Sequence, residues 1–388
     1  MPVKNRFAEM LPEIKAWRHD FHRHPEVMYD LPRTSARVAE LLRGFGVDEV
    51  AEGIGRTGVV AVIRGKNDSK GRVIGLRADM DALPINEITG AEYASQTPGK
   101  MHACGHDGHT SMLLAAAKYL AETRNFDGTA VMIFQPAEEG GAGAQAMIDD
   151  GLITRWGIEE FYGLHNLPGM PVGTFGLRAG AMMAAADQFD IHLKGKGGHA
   201  AAPHKAVDTA LVAAQVIVAL QSIVSRNVDP LKNAVVSVCV IETDSPAYNV
   251  LPENVRLKGT ARSLDPAVRD QLEQRIGEIA AGVAATYGAE ARVDFHRGYP
   301  VTINDADAAA HAGAVAEAVA GAVDWTVEPM MAGEDFSFML NARPGAYIFL
   351  GNGDSAMLHH PAYDFNDEAL PVGASWLAGM IETRMSAA

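Results

Sequence analysis

Four short, almost wholly apolar runs recur along this chain, with helical patterns between and around them. They read "RVIGLRA" (72–78), "TAVMIF" (129–134), "EFYGL" (160–164) and "AYIFL" (346–350). Runs of this length without polar alternation are typical of strands buried on both faces, which occur in parallel sheets covered by helices. Helical segments such as "TSMLLAAAKYLAET" and "DEALPVGASWLAGMIETRM" supply that cover. We therefore predict an α/β fold with a mostly parallel sheet.

The segment 184–296 follows a different order of elements. A half-buried strand, "QFDIHLKGK", leads into the helical segment "AVDTALVAAQVIVALQSIV", then two strands, the helical segment "PAVRDQLEQRIGEIAAGVAATYG" and a last strand. This βαββαβ order predicts a small ferredoxin-like sheet with helices on one face. Core-like segments lie on both sides of it. We therefore expect an inserted domain over 184–296 and a catalytic domain formed by 1–183 and 297–388.

Composition and sequence patterns argue against nucleic-acid and membrane partners and against export. The 388 residues carry a formal charge of −15 and no Lys/Arg cluster, which argues against nucleic acid and anionic membranes. We expect no apolar run to approach the roughly 18 uncharged residues of a membrane span, and the start of the chain shows no signal-peptide pattern. Cys104 and Cys239 cannot form a disulfide framework. We expect a cytoplasmic protein that binds a small molecule.

Acids and histidines follow the predicted strands at their carboxyl ends. They are Asp79 and Asp81, Glu138 and Glu139, His165, and the adjacent pair His359 and His360. Ligand sites of open α/β sheets form beyond the carboxyl ends of the strands, so we expect these side chains to share one rim. Cys104 and His106, in a glycine-flanked loop just before a helix, are expected to join it.

A thiol, imidazoles and carboxylates together form a ligand set for borderline divalent ions such as zinc, manganese, cobalt or nickel. A calcium site would use oxygen ligands only. Each residue alone has an ordinary structural explanation, because a single histidine, a buried cysteine or two adjacent acids are common in proteins. The joint pattern favours a metal hydrolase.

Six motifs, in order along the chain, resemble a known family. They are "RADMDALP", "MHACGHDGH", "QPAEEGGAG", "GLHNLP", "GKGGHAAAPH" and "LHHPAYDFND". The chain resembles the hippurate hydrolase and auxin-conjugate amidohydrolase group, within the aminoacylase and carboxypeptidase G-like dinuclear metallopeptidases. The resemblance implies a metal-dependent amidohydrolase that cleaves N-acyl-amino acids, of the hippurate or N-acetyl type, to a carboxylic acid and an amino acid. It also implies two divalent ions (Mn, Zn, Co or Ni) per chain.

The resemblance also implies a role for each candidate residue. The metal ligands are Cys104, His106, Glu139, His165 and His359, the last chosen over His360 by the family's Leu-His-x-Pro pattern. Glu138 is then the general base and Asp81 an orienting residue. The family's related peptidases have His-x-Asp where this chain has Asp79-Met80-Asp81, so Asp79 is expected either to orient a ligand or only to cap its strand.

The inserted domain is expected to contribute substrate contacts through His199, Asn249 and Arg262. In the resembling family, the matching His and Asn often reach the site of a partner subunit. An exposed strand edge and a largely apolar helix in the inserted domain also predict a homodimer. The alternative is that loops of the catalytic domain cover this helix. Glu334 and Asp335, in "GEDFSFML", either lie near the site or start a helix.

Two alternative functions are compatible with the same candidate residues. A dipeptidase or an N-acetyl-diamino-acid deacetylase would share the chemistry, and the sequence leaves the acyl group and the amino acid open. A protein that only binds its ligand is disfavoured, because Glu138 and the full ligand set are intact.

Overall fold

A computed structural model describes residues 4–387, and the chain divides there into two compact units. The first contains the residues up to Met182, Ile303–Glu328 and the residues from Asp335 onwards; the second contains Met183–Thr302 and Pro329–Glu334. The helices are α1 (Asn5–Arg23), α2 (Pro32–Gly44), α3 (His106–Thr123), α4 (Gly143–Asp149), α5 (Leu152–Trp156), α6 (Thr209–Ser222), α7 (Pro266–Thr286), α8 (Ala306–Ala320), α9 (Ser337–Ala342) and α10 (Leu370–Arg384). The strands are β1 (Glu49–Ile54), β2 (Gly58–Arg64), β3 (Val73–Asp79), β4 (Thr129–Gln135), β5 (Glu160–Pro168), β6 (Phe175–Gly176), β7 (Gly180–Met183), β8 (Ala185–Lys194), β9 (Gly198–His199), β10 (Ala234–Thr243), β11 (Val250–Leu251), β12 (Asn254–Ser263), β13 (Glu290–Tyr299), β14 (Thr302–Asn304), β15 (Val323–Asp324) and β16 (Gly345–Gly353).

The first unit is built on an eight-stranded sheet with the strand order β1-β2-β4-β3-β5-β16-β6-β15. Its central strands β4, β3, β5 and β16 pair in parallel, and β1 and β2 extend it with antiparallel pairing. The central strands are buried along nearly their whole length, as their apolar sequences require. The predicted mostly parallel α/β sheet is confirmed.

Helices α1, α3 and α10 pack together in the core of the first unit. In α1 the buried residues Phe7, Met10, Ile14, Trp17 and Phe21 recur every three or four positions, which places them on one helix face. By contrast, every residue of the first three turns of α3 is buried. Its first turn is therefore enclosed by protein on all sides, and this turn begins with a predicted metal ligand.

The second unit is a four-stranded antiparallel sheet with the order β10-β12-β8-β13. Phe189, Ile191 and Leu193 alternate along β8 and join the core that α6 and α7 cover. Asp208 and Asp265 cap these helices by accepting hydrogen bonds from backbone N–H groups of the first turns. The βαββαβ order with β8 and β12 as the central pair confirms the predicted ferredoxin-like fold.

The second unit reaches beyond the segment 184–296. Strand β13 continues to Tyr299, which pairs with Ala186. The short segment Pro329–Glu334 also joins this unit, because the N–H of Ala184 donates to the carbonyl oxygens of Met330 and Ala332. A six-residue loop of this kind carries no periodic signal that would reveal its position.

One helical stretch, Thr209–Asn227, is long and apolar enough by length and composition alone to cross a membrane. The expectation that no run approaches this length was therefore wrong, since the first charged residue after Asp208 is Arg226. About a third of its apolar window is buried within the structure, where Val212, Val216 and Leu220 pack into the core of the second unit.

Candidate metal centre

The five predicted metal ligands converge in the first unit, although they come from distant parts of the chain. Their ligand atoms form overlapping clusters in which all atoms lie within 4.8 Å of one another. The clusters are Cys104, His106 and His165; Cys104, Glu139 and His359; and His106, Glu138 and Glu139. Cys104, His106 and Glu139 each belong to two of these three clusters, so the clusters adjoin.

His106 is the first residue of α3 and is completely buried. Its Nδ1 donates to the backbone carbonyl oxygen of Asp81 over 2.8 Å, so Nε2 is the ring nitrogen that remains for another partner. Within residues 4–387 this Nε2 has no hydrogen-bond partner. A buried imidazole nitrogen without a partner is costly, and a divalent ion would satisfy it. This residue therefore fits the predicted metal.

Cys104 and His165 lie side by side, with 3.4 Å between Sγ and Nε2. The Nδ1 of His165 donates to the carbonyl oxygen of Asn166 over 2.6 Å, so its Nε2 is the nitrogen available to a metal. His165 was expected directly after its strand, but β5 continues to Pro168. The strand is longer because β16 pairs with it up to that residue.

Glu139 and His359 form the exposed side of the cluster, with 3.2 Å between Oε1 and Nε2. The backbone of His359 has a positive φ of 65°, and its N–H donates to the carbonyl oxygen of Ala103, next to Cys104. This contact holds the histidine loop against the cysteine loop. The adjacent His360 belongs to none of the clusters and accepts a hydrogen bond from the N–H of Ala362.

Three acids beside the predicted ligands, Asp81, Glu138 and Asp335, make different hydrogen bonds. Asp81 accepts the backbone N–H groups of Glu138 (2.9 Å) and Glu139 (3.2 Å) on its two oxygens. Oε1 of Glu138 accepts the N–H of Asp335 over 3.4 Å. Asp335 precedes α9 rather than starting it, since that helix begins at Ser337.

His109 is a site residue that sequence reasoning missed. Its Nδ1 lies 2.6 Å from Oδ1 of Asp79, and its Nε2 accepts the backbone N–H of Asn166 over 3.0 Å. Because Nε2 accepts a hydrogen bond, the ring proton sits on Nδ1 and is donated to Asp79. The signal was its position three residues after His106, which puts both histidines on one face of α3.

The electrostatics of the site are dominated by carboxylates. Burial opposes the charged form of His106, but neighbouring carboxylates, Asp79 foremost, raise its pKa to about 10. Burial and the negative charge of Glu139 raise the pKa of the Cys104 thiol well above its usual value. Burial, followed by the nearby His109, lowers the pKa of His165 well below its usual value. A site with this excess of negative charge favours bound cations, which would displace the thiol proton.

The three predicted substrate contacts lie in the second unit, where the structure brings only two of them together. His199 in β9 pairs with Val250 in β11, and His199 and Asn249 line one cavity of about 500 Å³. Arg262 instead lies near the end of β12, eight residues after Asn254. At about 3.3 Å per strand residue, roughly 26 Å separate Arg262 from the end of the sheet near the cavity.

Comparisons with known proteins point to a single family. The family model described as peptidase family M20/M25/M40 matches residues 75–383. Hippurate hydrolase of Campylobacter jejuni is 44% identical over 369 residues, covering 94% of this chain and 95% of that protein. N-acetyl-L-cysteine deacetylase of Bacillus subtilis is 42% identical over 356 residues, covering 91% and 83%.

A solved structure extends the likeness to the fold. The YXEP protein of Bacillus subtilis, described as a dinuclear metal binding peptidase from the M20 family, matches with a TM-score of 0.86 and 32% identity. The match covers 97% of this chain and 99% of that one. The resemblance drawn from the motifs is thereby confirmed, and this chain belongs to peptidase family M20/M25/M40.

Proposed function

We propose that this protein is a metal-dependent amidohydrolase that cleaves the amide bond of N-acyl-amino acids to a carboxylic acid and an amino acid. The observation that carries the proposal is the buried cluster of Cys104, His106 and His165 with the unpartnered Nε2 of His106, next to the paired glutamates. The names of relatives support the substrate class, since a hippurate hydrolase and an N-acetyl-L-cysteine deacetylase both act on N-acyl-amino acids.

Two divalent transition-metal ions are the proposed cofactors, held by Cys104, His106, Glu139, His165 and His359. The mixture of one thiol, three imidazoles and one carboxylate suits Mn, Zn, Co or Ni. When bound, such ions act as Lewis acids that acidify a water molecule and polarise the substrate carbonyl.

Glu138 is the proposed general base. It would accept a proton from the attacking water and return it to the departing amine nitrogen. Asp81 would serve as an orienting residue, because its hydrogen bonds to two consecutive N–H groups fix the backbone of both glutamates.

The second unit is proposed to bind the substrate and to pair two chains into a homodimer. His199 and Asn249 share a cavity that Arg262, at the other end of β12, does not reach. One small substrate cannot span that separation, which supports a site where Arg262 of one chain acts together with His199 and Asn249 of its partner. The unpaired cysteines, one buried and one exposed, support a reducing cytoplasm.

The experiment that tests this function is hydrolysis by metal-reconstituted protein of a substrate panel. The panel contains benzoyl-, indoleacetyl- and acetyl-amino acids, dipeptides and N-acetyl-diamino acids. We expect the highest kcat/KM with an N-acyl-amino acid and loss of activity with a chelator. A preference for dipeptides or diamino acids would select the alternative activities, and full activity in excess chelator after dialysis would refute the metal mechanism.

A further inference from the structure

Arg77 is a buried charge to which neither the metal site nor the proposed reaction gives a role. It lies on β3 two residues before Asp79 and is 2% exposed. Its guanidinium donates to three side-chain oxygens, at 2.8 Å to Gln135, 2.7 Å to Asp79 and 2.9 Å to Asp335. Arginine stays charged in proteins. A guanidinium buried here therefore needs neighbouring carboxylates to balance its positive charge.

Asp79 lies within reach of the proposed ions. Its Oδ2 is 3.7 Å from Nε2 of His106, the nitrogen without a partner, and the ligand atoms of Asp79, His106 and His109 all lie within 4.8 Å of one another. A buried carboxylate at this distance is by itself a suitable oxygen ligand.

Both oxygens of that carboxylate are engaged elsewhere. Oδ1 accepts the Nδ1 proton of His109 over 2.6 Å, and Oδ2 accepts the Nη1 proton of Arg77 over 2.7 Å. The oxygen closer to His106 is thus the one that carries the cationic partner, and the positive charge of the guanidinium opposes the binding of a second cation to the same oxygen.

Arg77 is itself anchored on its other side. Asp335, which accepts Nη2 of Arg77, also accepts the side-chain amide of Gln135 at 2.8 Å and the backbone N–H of Ala144 at 2.9 Å. These contacts come from three separate segments of the first unit. The guanidinium is therefore fixed in place between two carboxylates.

We propose that Arg77 is a positioning residue that, together with His109, keeps Asp79 out of the metal ligand set. The inference rests on the metal site proposed above. Its consequence is that the ions are held by one carboxylate rather than two, which leaves coordination positions for water and substrate.

The test uses the visible absorption of the Co²⁺-loaded protein, because the intensity of the Co²⁺ d–d bands falls as the coordination number rises, as it would if Asp79 became an additional ligand. We expect the wild-type protein and Asp79→Asn to give the same spectrum. In Arg77→Met, where Asp79 is released, the bands should weaken, and the double variant R77M/D79N should recover the wild-type spectrum.

Two further variants guard against misfolding. Arg77→Met leaves two buried carboxylates without their cation, so R77M/D335N, which removes one of them, should show the same spectral change as R77M. Arg269→Met is the matched control, since Arg269 forms a buried pair with Asp187 in the second unit and should leave the spectrum unchanged.

Three results would overturn the inference. A changed spectrum in Asp79→Asn would mean that Asp79 is already a ligand. An unchanged spectrum in folded R77M or R77M/D335N would mean that Arg77 does not hold it back. Failure of the wild-type protein to bind Co²⁺ would refute the metal site as well, so the two failures are distinguishable.

Discussion

Among the residues of the site, the carboxylate of Asp81 fixes the backbone of two adjacent glutamates, Glu138 and Glu139, whose side chains meet different surroundings. Asp81 accepts the N–H groups of Glu138 and Glu139 on its two oxygens, which fixes both peptide planes. The side chains then meet different surroundings, with Oε1 of Glu139 beside His359 and Oε1 of Glu138 beside the N–H of Asp335. The different surroundings suit the separate roles proposed for them, with Glu139 as a ligand and Glu138 as the base.

Substitution of the proposed base should separate catalysis from metal binding. We expect Glu138→Gln to lower kcat by about 10²- to 10⁴-fold, because an amide cannot accept the proton of water. Metal content, measured by atomic emission, should stay near the wild-type value. Glu139→Gln is the matched control and should lose metal as well as activity. A kcat close to wild type in Glu138→Gln would mean that another residue is the base.

The two cysteines form a natural pair of variants. Cys104→Ser should weaken metal affinity, measured by competition with a chromophoric chelator, because a hydroxyl is a poor substitute for a thiolate. Cys239→Ser, at an exposed position of β10, should leave affinity unchanged. Equal affinities in the two variants would make Cys104 a packing residue.

The segments that carry the site could be predicted at this scale, as could Asp81 and the position of Asp335 near the site, but Arg77 and His109 could not. Cys104 and His106 stand out because unusual ligand types lie close together in sequence. Arg77 does not, because its ion pair with Asp335 joins residues far apart in the chain. The role of such a residue depends on a contact that no local pattern records.

At the scale of elements, the start of α3 depends on the glycine before it. Gly105 has a φ of 89°, and a Cβ there would lie 2.2 Å from Nδ2 of Asn166 and 2.6 Å from the hydroxyl of Tyr363. Only glycine allows both this conformation and this approach. The position of His106, one residue later, follows from it.

Gly105→Ala should therefore lower both stability and metal affinity. Gly46→Ala is the control, because Gly46 has a φ of 74° with nothing near its Cβ position. The control should cost about 1 kcal/mol of unfolding free energy from backbone strain alone, and Gly105→Ala should cost clearly more. Urea denaturation and metal titration measure both effects. Equal losses in the two variants would contradict the steric argument.

Helices α1 and α3 meet at a buried pair, in which Nδ1 of His22 lies 2.8 Å from Oδ2 of Asp107. Burial opposes a charge on His22, but Asp107 and Glu87 outweigh it and raise its pKa to about 9. Because the folded-state pKa is raised, this contribution to stability is complete below about pH 6.5 and is lost as the pH rises through about 9.

The unfolding free energy should consequently fall by at most about 3 kcal/mol between pH 6.5 and pH 9. Urea denaturation at a series of pH values measures it, and His22→Gln should show a smaller decrease over the same range. The same slope in both proteins would mean that His22 does not carry the charge.

The central strands of the large sheet, the strands of the second sheet and helices α3, α6, α7 and α10 could be predicted. Strand β8 alternates with a period of two, and buried apolar residues recur every four positions in α7. The start of α3 was expected at residue 110, four residues late, because a first turn buried on all sides has no amphipathic period. Strands β1 and β2 were not predicted. The sequence of β2 is as apolar and as buried as those of the central strands, so it carried the signal of a strand. Its antiparallel pairing with β4 is not visible in composition.

At the scale of the whole molecule, the two edges of the second unit differ in character. Strand β10 exposes the apolar residues Val235, Val240 and Ile241, whereas β13 exposes the charged residues Arg292 and Arg297. Charged edges discourage strand pairing and apolar edges permit it. Helix α6 adds exposed Leu211 and Val218 to the apolar side.

This asymmetry predicts association through β10 and α6. Val218 is 68% exposed. The substitution Val218→Glu should convert the dimer to a monomer, which light scattering measures. Ile88→Glu is the control, because Ile88 is 66% exposed but lies in the first unit. A wild-type monomer at working concentration, or a dimer in Val218→Glu, would contradict the assignment.

Mixing two inactive variants tests the use of the partner's residues. Glu138→Gln and His199→Ala chains, each inactive alone, should recover part of the activity when they are mixed under conditions that allow exchange. Recovery requires that His199 of one chain serves the site of the other. If no activity is recovered although mass spectrometry verifies the exchange of chains, His199 acts at the site of its own chain.

The pairing of β5 with β16 sets the order of events during synthesis on the ribosome. These neighbours in the sheet are separated by the entire second unit, so that unit emerges before β5 has its partner. At about 5–20 residues per second, β5 waits on the order of tens of seconds with one edge unpaired. An unpaired strand edge favours association with other chains, so a chaperone that binds the nascent first unit in this interval should lower aggregation.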